Sequence, residues 1–80
     1  VTWGDALAKL IKESGLSMTE FCRASGIEKE HLWRVSNNLG AARPNLTWTE
    51  QITKAFDVTF IMTTNNGVTN MEFKWNEEKT

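Results

Sequence analysis

The chain predicts a mainly α domain with a small β element: four short helices followed by one C-terminal antiparallel β-hairpin. Three observations lead to this class. Apolar residues recur at helical spacing as far as Phe56. After Asp57 the period changes from 3.6 to 2. Between the two alternating runs stands Asn65-Asn66-Gly67, a strong short-range hairpin signal.

Eighty residues make one domain. The expected division is a helical bundle over 1–57, a hairpin over 58–76 packed on the bundle or at a dimer interface, and a frayed tail over 77–80. Four Trp and four Phe give a small core bulky material. One Cys excludes an internal disulfide and any metal site with several Cys ligands, and a single thiol suits a reducing, cytoplasmic setting. No apolar run approaches the roughly 20 residues of a membrane span, so no membrane partner is expected. Nine basic and ten acidic residues leave a net charge of −1.

Each element has its own sequence reason. Trp3, Leu7, Leu10 and Ile11 fall at i, i+4, i+7 and i+8, one face of a first helix, which Thr2 can cap and Gly15 can end. Ser17-Met18-Thr19-Glu20 is a capping box for the second helix, with Leu16 and Phe21 at the staple positions. Phe21 and Cys22 face inward, and Gly26 stands at the expected left-handed terminus. Ile27, Leu32 and Val35 form the inner stripe of a third helix over about 28–37, with Asn37 and Asn38 as enders. Pro44 keeps Arg43 extended, and Asn45 can cap a fourth helix running to about Phe56. Its inner stripe is expected to be Trp48, Ile52, Ala55 and Phe56, with Leu46 buried at the start. With Asn66-Gly67 as a type I′ turn, Met62 faces Met71, Phe60 faces Phe73 and Val58 faces Trp75, all on one side.

The stretch from Leu16 to Leu46 therefore reads as two short amphipathic helices joined at Gly26, the layout of a helix-turn-helix. Its residues resemble the phage-repressor and Cro-type (xenobiotic-response-element-like) helix-turn-helix family from Leu7 to about Val58. The matching segments are Leu-Ser-Met-Thr-Glu-Phe-Cys from Leu16, Arg-Ala-Ser-Gly-Ile from Arg23, Leu-Trp-Arg-Val-Ser-Asn-Asn from Leu32, Arg-Pro-Asn-Leu from Arg43 and Lys-Ala-Phe-Asp-Val from Lys54. The chain departs from the family at Met18, where Gln is frequent, and at Glu28, where a Ser or Thr cap is common. Ile11 and Ser36 replace a frequent Arg–Glu pair together, so neither leaves a lone buried charge.

The resemblance implies a four-helix lambda-repressor-like bundle that binds double-stranded DNA. Lys29, Glu30 and Arg34 would project toward base edges, with His31 and Trp33 flanking the groove; Ser17, Asn37 and Arg43 would lie near phosphates. The chemistry agrees. Lys29 and Arg34 can donate to guanine O6 and N7, and Glu30 can accept from a cytosine amino group. Asn38 is placed with Asn37 as a phosphate candidate, and Asn45 joins it because helix N-termini suit anions. Between Ser17 and Leu46, four basic residues stand against three acidic ones, a faint positive balance.

A hairpin alone is marginal in water, so its apolar face needs cover. Phe60, Met62, Met71, Phe73 and Trp75 are the candidates for a homodimer contact, which would set two recognition helices about 34 Å apart. The expected function is that of a sequence-specific transcription regulator, a repressor on a palindromic operator. The other class is a helix-turn-helix used for protein interaction, such as an antitoxin-like partner, with Trp33 and the hairpin as contacts. One His and one Cys, far apart in the pattern, assemble no catalytic set, and there is no phosphate-binding Gly loop or metal spacing. No enzyme activity, cofactor or metal is expected.

Overall fold

A computed structural model describes residues 2–40 and 43–76. Four helices, α1 (Trp3–Ser14), α2 (Met18–Ser25), α3 (Lys29–Ser36) and α4 (Leu46–Ala55), precede two antiparallel strands, β1 (Val58–Asn65) and β2 (Val68–Trp75). Among the described residues no helix is long and apolar enough to cross a membrane.

The helix ends follow the sequence chemistry. Thr2 Oγ1 accepts from the Asp5 N–H at 3.1 Å, and Gly15 ends α1 at φ 74°. In α2 the Glu20 N–H donates to Ser17 Oγ at 3.1 Å and the Ser17 N–H donates to Glu20 Oε1 at 2.9 Å, a complete capping box. Gly26, at φ 79°, turns the chain from α2 toward α3. At α3 the cap position is Glu28, whose side chain makes no cap hydrogen bond. The other end of α3 is better finished: Asn38 adopts φ 60°, its N–H donates to Val35 O, and the Leu39 N–H donates to Arg34 O at 2.8 Å. This pair of bonds is a Schellman motif with Asn in the left-handed position.

Trp3, Leu7, Leu10, Phe21, Leu32 and Ile52 are the largest fully buried side chains, so every helix contributes to one core. Val58, Met71 and Phe73 join it from the hairpin. Two aromatic groups fasten hairpin to helices. Trp3 meets Phe60 edge-on at 5.7 Å and Phe73 at 5.8 Å; Phe56 stacks on Phe21 at 4.7 Å and meets Trp75 edge-on at 6.4 Å. Burial supplies the main drive and ring geometry adds about 0.5–1.5 kcal/mol per pair. Trp75 Nε1 also donates to Glu13 Oε1 at 3.2 Å, tying the end of β2 to α1. Burial pushes the Cys22 thiol above its ordinary range, so it remains a neutral, packed group.

The register is Val58↔Trp75, Phe60↔Phe73 and Met62↔Met71, as the alternation requires, with Asn66 (φ 53°) and Gly67 (φ 77°) at the turn. Three packing expectations need correction. Leu46 is 73% exposed. It lies six positions before Ile52, about 120° around the helix from that fully buried side chain, and Thr49 occupies the inner position instead. Ala55 is exposed at the last turn of α4. Met62 is 55% exposed although its cross-strand partner Met71 is buried. The two methionines stand at one level of the ribbon, so the difference is lateral: α1 packs on β2, whereas β1 is met by α4 nearer its base, and the cover reaches Met71 but not Met62.

Gly4 shows how closely α1 meets α3. A Cβ built there would stand 2.3 Å from the Val35 carbonyl oxygen and 2.4 Å from Asn38 Oδ1. A backbone oxygen has little room to retreat. Gly4→Ala should therefore destabilise the fold by about 1–3 kcal/mol despite the better helix propensity of Ala. Urea unfolding checks this; an unchanged or raised midpoint would refute the close approach.

Candidate functional site

The outer surface of α3 is set by what its inner side buries. Ile27 and Leu32 are buried, Ser36 is covered, and Val35 is half-buried. The remaining positions, Lys29, Glu30, His31, Trp33 and Arg34, are all exposed. These are the five residues that the sequence suggests for contact in or beside a DNA groove, and they occupy one continuous helical surface. Trp33 is 50% exposed, and Lys29 and Glu30 flank it around a shallow depression. Glu28 Oε1 lies 3.2 Å from His31 Nδ1, which orients the ring along the helix.

Beside this surface is a cleft of about 220 Å³, formed where the end of α3 faces Gly40, Arg43 and the start of α4. Its polar lining consists of His31, Arg34, Arg43 and Asn45; its apolar lining includes Trp3, Val35 and Trp48. Among the described residues no carboxylate lines it. The chain is acidic by one charge overall, so the basic groups have segregated locally. Asn45 is also the cap of α4, with Oδ1 accepting from the Trp48 N–H at 3.1 Å. Its position brings the free N–H groups of a ten-residue helix to the edge of the cleft.

The other phosphate candidates are dispersed. Ser17 is exposed at the start of α2, where its hydroxyl oxygen serves the capping box. Asn37 is exposed and donates through Nδ2 to Trp33 O at 2.8 Å. Asn38 is turned toward α1: Thr2 Oγ1 donates to its Oδ1 at 3.0 Å, and its Nδ2 donates to Asp5 Oδ1 at 3.0 Å. It works as a clamp between the end of α3 and the start of α1. Of the five dimer candidates, Met71 and Phe73 are buried within the chain, Phe60 and Trp75 are half-buried, and Met62 is largely exposed. A second copy would therefore meet a smaller apolar surface than the strand alternation suggests.

Sequence spacing did not reveal Val35 and Trp48 as neighbours of Arg34 and Arg43. Both belong to apolar stripes that look wholly internal. The available signal was positional: Val35 follows His31 by four residues on one helix face, and Trp48 lies in the first turn after the Asn45 cap. Among the described residues no group of three or more His, Cys, Asp or Glu is arranged to hold a metal ion. Comparison with protein-family models, curated proteins and solved structures finds no match to this chain.

The clamp has an electrostatic signature. The Asn38 hydrogen bond, followed by that of Thr2, holds the Asp5 carboxyl below its ordinary pKa. The depressed folded value means that ionised Asp5 stabilises the fold above the unfolded-state pKa. That contribution is lost as pH falls through the folded value. Asn38→Gly keeps the left-handed backbone but removes the amide, so the Asp5 pKa should rise toward the ordinary carboxylate range. NMR titration of the Asp5 carboxyl carbon measures this, and an unmoved titration would contradict the clamp.

Proposed function

We propose that this chain is a small DNA-binding transcription regulator whose four helices contain a helix-turn-helix, α2 and α3, with α3 as the base-reading element. The observation that carries the proposal is the division of α3: Leu32 is fully buried while Lys29, Glu30, His31, Trp33 and Arg34 all face solvent next to a cleft that holds Arg43 and, among the described residues, no carboxylate. A helix seated in this way can enter a major groove without disturbing its own core.

In this reading Arg34 and Lys29 donate to guanine edges, and Glu30 selects for a cytosine amino group. Trp33 contacts sugars or thymine methyls. Arg43, Asn45 and the N–H groups opening α4 hold the phosphate backbone and thereby fix register. Ser17 and Asn37 add backbone contacts from the starts and ends of α2 and α3. Two copies on a palindrome would occlude a promoter, making repression the simplest mechanism. Met62 and Val68 are the exposed apolar side chains of the hairpin left for such a pairing.

One observation favours a second reading. Trp33 is half exposed between Lys29 and Glu30, and an exposed Trp among charges is typical of an anchor in a protein interface. The same helix could then dock on a protein, with weak or absent DNA binding.

Selection of bound sequences from random duplex DNA separates the two. The expected result is enrichment of a palindromic site, with affinity falling steeply as salt rises. Arg34→Ala should cost about 1–3 kcal/mol and relax preference at one base position, whereas Arg43→Ala should weaken all sequences alike and reduce the salt slope by about 1. Absence of DNA binding at low salt would overturn the proposal in favour of the protein-interaction module.

A further inference from the structure

We propose that the cleft between α3 and the start of α4 binds a small planar aromatic carboxylate, and that such a ligand competes with DNA for the same arginines. The binding step stands on the cleft alone; the competition rests on the DNA-binding function proposed above.

The composition of the cleft selects the ligand class. Arg34, Arg43 and Asn45 provide donors, while Val35 and Trp48 provide apolar surface backed by the buried ring of Trp3. Inorganic phosphate would satisfy the donors but leave indole and valine surface in water. A neutral hydrocarbon would cover that surface but desolvate guanidinium groups without a partner. A flat acid does both, because guanidinium forks match a carboxylate bidentately and an indole face accepts a planar ring.

Three further features fit. Among the described residues neither Arg34 nor Arg43 has a carboxylate ion-pair partner, so neither charge is already neutralised in that way. Glu28 engages His31 at Nδ1, which fixes the imidazole ring at the rim of the cleft. Gly40 lies close against Val35: a Cβ there would stand 2.9 Å from Val35 Cγ2. A side chain at position 40 would press on the Val35 methyl that lines the cleft. The volume, about 220 Å³, is below the usual span for drug-sized ligands, which limits the occupant to one or two fused rings.

The probes are 2-naphthoate, its neutral analogue 2-naphthamide and inorganic phosphate, each titrated into the full chain labelled with ¹⁵N. The indole N–H of Trp48 should shift saturably with 2-naphthoate in the millimolar range or tighter, as small-ligand efficiencies set. The amide and phosphate should bind at least about tenfold more weakly, and Arg43→Gln should weaken 2-naphthoate by about tenfold. Arg43 is exposed, and an unchanged urea midpoint would confirm that this variant still folds. No Trp48 shift up to about 10 mM, equal binding of the amide or of phosphate, or indifference to Arg43→Gln would each overturn the site. Duplex DNA carrying the selected sequence forms the last arm, and 2-naphthoate should displace it. If the acid binds but no DNA does, the site stands and the regulatory part falls; if DNA binds and the acid leaves Trp48 unmoved, the site falls and the DNA-binding function stands.

Discussion

The first turn of α1 is the constraint on which the remainder of this small fold depends. Gly4 lets the helix backbone come against the Val35 carbonyl, and Trp3 beside it is buried between the helices and the rings of Phe60 and Phe73. One turn thus meets α3 on one side and the hairpin on the other. Without the close approach, Leu32 would lose its depth, and the outer surface of α3 would have no fixed direction. The Thr2–Asn38–Asp5 hydrogen bonds then lock the angle that packing selects. An exposed polar network of this kind adds little cohesion alone; its value is orientation.

Much of the fold was legible because several local signals agreed with the global arrangement. The capping box at Ser17, the left-handed glycines at Gly15 and Gly26, the Asn45 cap and the hairpin register each follow from a few residues. Failures came where burial depends on the size of neighbouring elements. Met62 belongs to the apolar face by alternation, yet α1 covers the β2 side of that face and leaves the β1 side open. Leu46 looks like core by composition, yet helical phase turns it to solvent. Periodicity tells which side a residue is on, but not how far the cover extends.

The candidate site divides along the same line. That α3 would show Lys29, Glu30, His31, Trp33 and Arg34 outward follows from the inner stripe of Ile27, Leu32 and Val35. That Arg43 would share a concavity with Arg34 does not, because it depends on the path of a loop rather than on any period. Asn38 illustrates the limit best. Its residue type suits both a phosphate contact and a helix terminus, and only the position of Thr2 and Asp5 distinguishes them. Net charge was similarly uninformative, since −1 for the whole chain coexists with a cleft that no carboxylate of the described residues lines.

The outer half of the hairpin has a practical consequence. From Met62 through Asn70 every side chain is exposed, so the ribbon's tip stands clear of the core. Chain lengthening at Asn66-Gly67 is therefore thermodynamically mild. A fluorophore-bearing insertion or a graft sequence could be carried there while α1, α3 and their clamp remain untouched. The molecule thus comes with a handle, remote from the surface that its helices present.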